Sequence, residues 1–122
     1  MADSTLHFAL GLAIGTSILL PGLVKTITSG RITAPSVRRL LSTSYALGAF
    51  AIIPNILRHW GLPEFFCSGW WMNLFLFHPM LDKLKPGGAL LGEILIVALF
   101  LLHYSLIIAA IYRIRNFHLE KE

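Results

Sequence analysis

The chain has 122 residues, of which 56% are hydrophobic and 13% charged. An ordinary soluble domain carries about 25% charged residues, so a water-facing surface on all sides is excluded, and the same scarcity of charge excludes a disordered chain. Ten Lys and Arg against six Asp and Glu leave a net +4, a small excess that suits membrane topology and anionic lipid rather than nucleic acid.

The mean hydropathy of +0.72 is spread over four apolar runs. The first, residues 4–24, holds no Asp, Glu, Lys or Arg, and its 21 residues match the roughly 20 needed to cross a hydrocarbon core. It begins almost at Met1 with no basic segment before it, so a cleaved signal peptide is not expected. Asp3 and Ser4 are placed to cap its first turn. Pro21 and Gly22 lie near its end, where a break is cheap.

A polar connector, residues 25–39, carries Lys25, Arg31, Arg38 and Arg39 and no acid. The second run, residues 40–57, is a short span in which Pro54 should kink or stop the helix. The third, residues 65–81, is aromatic-rich and interrupted by Gly69 and Pro79. It reads as an interfacial helix, a re-entrant segment or a fourth span, and Trp70 and Trp71 favour the membrane boundary. The last run, residues 89–112, follows the turn signal Pro86-Gly87-Gly88 and precedes a charged tail.

Together these predict a single all-α, polytopic membrane domain over residues 1–122, with three transmembrane helices plus the aromatic segment. Three crossings gather seven Lys and Arg on one side against three on the other. The positive-inside rule then places the N-terminus outside and the C-terminus in the cytoplasm.

Small residues mark where helices meet. Gly11 and Gly15 form a GxxxG in the first run, and Ser44 and Gly48 repeat the spacing in the second. In lipid, close backbone approach through small residues supplies much of the attraction between helices. The seam serves either the pairing of the first helix with the second or a contact with another chain.

Ionisable groups within the bilayer are costly and mark function by default. His103 lies about 4 Å from the centre of the last span at 1.5 Å per residue. Its apolar setting, FLLHYSLI, suits either a neutral imidazole bonded to another helix or an axial ligand to a haem- or chlorophyll-type cofactor. His7 cannot complete a simple bis-histidine site. Under three spans the first and last helices run parallel, and His7 sits about 5 Å inside its helix while His103 sits about 20 Å along its own. Glu93, one turn into the last run, suits a capping or interfacial role better than its alternative, proton transfer. His78 and Asp82 have the i, i+4 spacing of a two-ligand metal site, although Pro79 between them puts His78 at a cap position. Cys67, the lone cysteine, supplies neither a disulfide nor a thiolate cage. No GxSxG, P-loop, HExxH or CxxC occurs.

The segments LHFALGLAIGT (6–16) and YALGAFAIIPNILRHWG (45–61) resemble a family of small bacterial inner-membrane metal-dependent hydrolases. His7, Gly11, Gly15, Gly48 and Pro54 carry the resemblance over about a third of the chain. In that family the second segment ends in a Pro-Asp-x-Asp-His-like motif. Here Asn55 stands for the first acid, Leu57 for the second and Arg58 for the histidine. The resemblance therefore implies a membrane-helical relative that has lost the acidic part of its metal site, since an amide is a poor ligand for a hard cation and leucine is none.

The expectation is a non-catalytic accessory or structural subunit of a larger complex in the bacterial inner membrane, with lipids and other integral membrane subunits as partners. The alternatives are a haem- or chlorin-binding subunit acting through His103, and a metal-dependent membrane hydrolase using His7, Asn55, His78 and Asp82.

Overall fold

In a computed structural model of the protein, residues 4–75 and 88–119 are described, the side chains of 67–68 and 117–119 excepted. Helix α1 spans Ser4–Thr28, α2 Ala34–Ala51, α3 Ile53–His59, α4 Glu64–Ser68 and α5 Gly88–Leu119, with a 3-10 turn over Trp70–Leu74. Two of these helices, α1 and α5, are long and apolar enough to cross a membrane, and the bent pair α2–α3 makes a third if it is one span. Helices suit such sequences because hydrocarbon offers no hydrogen bonds, so every backbone group must be satisfied within its own segment.

The helices outrun the apolar runs. Pro21 lies inside α1 and does not end it. The end comes after Thr28, where Gly30 takes the left-handed φ of +68°. There Gly30 N–H donates to the Ile27 carbonyl (3.2 Å) and Arg31 N–H to the Thr26 carbonyl (3.0 Å), the paired bonds of a Schellman motif. Gly30→Ala is expected to cost about 1 kcal/mol, read as a lower unfolding midpoint in detergent; an unchanged midpoint would show that the turn tolerates a side chain.

The connector is accordingly short. Residues 25–28 belong to α1, and α2 starts at Ala34, with Thr33 extended at its N-cap and Pro35 in its first turn. A five-residue connection between helices dictates antiparallel neighbours. Pro54 does kink the chain: Ile52 leaves the helix, and α3 resumes at 41° to α2. The missing N–H of proline explains the break. Gly61, at φ +85°, ends α3 in a second Schellman turn, with Gly61 N–H on the Arg58 carbonyl and Leu62 N–H on that of Leu57.

Helix α1 is the centre of the bundle. It packs along both α2 and α5, while α2 and α5 meet only lightly. Its contacts with α2 run in opposite directions along the two helices, Gly11 against Leu47 and Gly48, then Gly15 against Ser44. Those with α5 run in the same direction, Gly92 against Leu6 and His103 against Thr16. Thus α1 and α5 are parallel, and the linker between α3 and α5 begins and ends at the same end of the bundle. The buried face of α5 steps through Gly92, Leu99, His103 and Ala110, the three-four spacing of a left-handed seam.

The two ends differ in chemistry. Lys25, Arg31, Arg38 and Arg39 share one end with Arg113 and Arg115 of α5, around a core of Leu23, Ile32, Leu40 and Ala110. Toward the other end lie Glu93 and the short elements after α3. Trp60, Phe65 and Trp70 are 76%, 79% and 85% exposed there, the amphipathic ring placement that favours a membrane boundary. The described part of the 65–81 run is α4 and the 3-10 turn, and it folds back on α2 through Phe75 stacked on Phe50 at 4.8 Å. Met72 is fully buried beneath it. Arg58 and Glu64 form an exposed ion pair at 3.2 Å, a contact worth about 0–1 kcal/mol.

Candidate functional site: a polar junction inside the bundle

Three helices meet at a polar junction in the buried interior. Thr16 of α1 and Ser44 of α2 are buried, as is His103 of α5 at 2% exposure. The Thr16 Oγ1 atom lies 2.8 Å from the Leu12 carbonyl oxygen, 2.8 Å from His103 Nε2 and 3.2 Å from Ser44 Oγ.

A hydroxyl has one proton and two lone pairs. The Thr16 hydroxyl donates toward both the Leu12 carbonyl and Ser44 Oγ, so its one proton is shared between those two oxygens. Its lone pairs are left to accept from the His103 Nε2–H. This network assigns the imidazole proton to Nε2. Its Nδ1 is buried and has no hydrogen-bond partner among the described residues.

The junction depends on the small-residue seam. A Cβ on Gly15 would lie 2.5 Å from Ser44 Cα, and a Cβ on Gly11 would run into the Leu47 carbonyl. On the α5 side, a Cβ on Gly92 would lie 2.7 Å from the Leu6 nitrogen. Gly48 faces the Phe8 ring, where an added Cβ would come within 2.8 Å of Cε2. Gly11, Gly15, Ser44 and Gly48 thus lie at the α1–α2 contact inside one chain. Over the junction, the Tyr45 ring lies 5.7 Å from that of His103 and stacks on Phe100 at 6.1 Å.

The remaining candidates are not gathered here. His7 is fully buried in α1. With Thr16 level with His103, His7 is nine residues below it, about 13 Å along the axis, so the two histidines do not face one another. Asn55 donates to Ser4 Oγ at 3.2 Å, which ties α3 to the first turn of α1. Arg58 is engaged with Glu64, and Glu93 is exposed. Asp3, His78 and Asp82 lie outside the described residues. Among the described residues no three of His, Cys, Asp and Glu converge as a metal site would require.

Thr16 and Tyr45 are the junction residues that sequence reasoning missed. Thr16 follows Gly15 directly and lies one helical turn after Leu12, so its hydroxyl sits on the seam face. That signal could have found it.

Comparison with protein-family models, with curated proteins and with solved structures gives no match. The reading of the site therefore rests on its geometry.

Proposed function

We propose that the protein is a small, non-catalytic integral-membrane accessory subunit of a larger membrane complex. One observation carries this reading. Polar side chains buried at one junction hold its three long helices to one another, so the bundle is built as a fixed body (Thr16 at 2.8 Å from His103 Nε2). The outer face of α5 supports it too. Only 17% of the α5 span is buried within the chain, against 39% for α1, which leaves α5 an apolar surface for lipid and for neighbouring subunits.

In this proposal α1, α2–α3 and α5 make three crossings. The parallel pairing of α1 with α5 supports that number, since a single further crossing between α3 and α5 would make the pair antiparallel. The gathering of Lys25, Arg31, Arg38, Arg39, Arg113 and Arg115 at one end supports a cytoplasmic C-terminus and an outer N-terminus. A bacterial inner membrane is the setting proposed. Purification from native membranes in mild detergent is expected to recover the protein with other polypeptides in fixed ratio by native mass. A folded, monodisperse monomer without companions would sink the subunit reading.

A haem- or chlorin-binding subunit is the second reading, favoured by His103 Nδ1, which has no partner among the described residues. Against it stand the burial of the ring and the engagement of Nε2 by Thr16. An absorbance band in the visible that disappears in His103→Ala would support it, and a colourless purified complex would remove it.

A further inference from the structure

A groove of about 390 Å³ runs between the N-terminal half of α2 and the C-terminal half of α5. It exists because α5 packs along α1 and only lightly against α2. Val37, Leu41, Ile107 and Ile111 line it together with the buried Ala110. The charged lining residue is Arg38, which is exposed. Its volume lies within the roughly 300–1,000 Å³ of ligand clefts, whereas a neighbouring cavity beside Arg39, at about 170 Å³, falls below that range.

We infer that this groove binds one acyl chain of an anionic glycerophospholipid, with the phosphodiester held by Arg38. The inference rests on the transmembrane placement proposed above and not on the subunit reading. Charge decides the occupant. This end of the bundle carries Lys25, Arg31, Arg38, Arg39, Arg113 and Arg115, and both described carboxylates, Glu64 and Glu93, lie toward the other end. Among the described residues no carboxylate lies at this end, and a cationic end beside an apolar groove complements a phosphate with a hydrocarbon tail. A helix of another subunit would fill the apolar walls but would need an acidic side chain of its own to answer the Arg38 charge. Guanidinium suits the site because it binds phosphate oxygens in a bidentate fork.

The test uses the full chain in nanodiscs of phosphatidylcholine that contain a trace of phosphatidylglycerol with a photoreactive acyl chain. Label mapped by peptide mass is expected on Leu41, Ile107 and Ile111. Unlabelled phosphatidylglycerol is expected to compete about five-fold better than phosphatidylcholine, the factor that corresponds to roughly 1 kcal/mol per basic residue near anionic lipid. Arg38→Gln should abolish that preference. Arg31→Gln, at an exposed basic residue that does not line the groove, should keep most of it.

Label spread evenly around α5, equal competition by both lipids, or an Arg38→Gln variant with unchanged preference would each overturn the lipid site. So would a complex in which these residues cross-link to a second polypeptide instead. A chain that fails to enter nanodiscs would overturn the transmembrane placement as well, so the two failures are distinguishable.

Discussion

Replacing Gly15 with alanine is expected to lower the unfolding free energy in detergent by about 1–3 kcal/mol, the usual cost of forcing an extra carbon into a packed contact. The added Cβ meets backbone, at 2.5 Å from Ser44 Cα, and backbone cannot swing aside as a flexible side chain would. The two helices must separate along the seam, which also stretches the 3.2 Å approach of Thr16 to Ser44. Adding Gly11→Ala, against the Leu47 carbonyl, should part α1 from α2 altogether. Gly22→Ala is the control, because nothing lies within 4 Å of a Cβ there, and it should be neutral or stabilising by up to about 1 kcal/mol. Denaturant titration followed by circular dichroism reads all three variants. Equal midpoints for Gly15→Ala and Gly22→Ala would refute the seam.

Thr16→Val should produce the second large effect. Valine keeps the shape of threonine and removes the atom on which three helices converge. His103 Nε2–H then loses its acceptor and Ser44 Oγ its donor, and an unsatisfied buried group costs about 1–3 kcal/mol. Hydrogen bonds between membrane helices average about 0.6 kcal/mol and reach about 1.7 in mutant cycles, so a total of about 1–3 kcal/mol is expected. The sign of the coupling is the sharper test. Once Thr16 is valine, His103→Leu should cost much less than it does in the wild-type chain, since it removes a donor that already lacks its acceptor. Simple additivity of the two changes would show that they do not share a bond. The proton position is independently checkable, as nitrogen NMR of His103 should show Nε2 protonated and Nδ1 bare.

Much of the helical architecture can be read from local features. The apolar runs locate the long helices because their period and length are properties of the segment itself. Pro54 announces the kink between α2 and α3 because a missing N–H acts within one turn. The spacing of Gly11, Gly15, Ser44 and Gly48 displays a seam for the same reason. The helix ends were less legible. Residues 25–28 and 34–39 are polar in composition yet helical, since long basic side chains can reach out to water while their backbone continues the helix. The Gly30 turn, not the change in polarity, ends α1.

The junction was the least legible part. His103 stands out by depth alone, but its partner is set by the register of α1 against α5, and those residues are 87 apart in the chain. No local spacing encodes that offset. It follows from where Gly92 lets α5 approach Leu6. The aromatic run shows the converse: its composition marks a boundary segment, while its short turns depend on docking against Phe50.

The parallel placement of α5 also bears on the order in which the chain assembles. Thr16 and Ser44 both belong to the α1–α2 hairpin, whose helices are joined by five connecting residues. Chains are made from the N-terminus. Both helices of the hairpin are therefore synthesised before α5, which brings the last partner to the Thr16 hydroxyl. His103 arrives as the latch that completes a structure already two-thirds built.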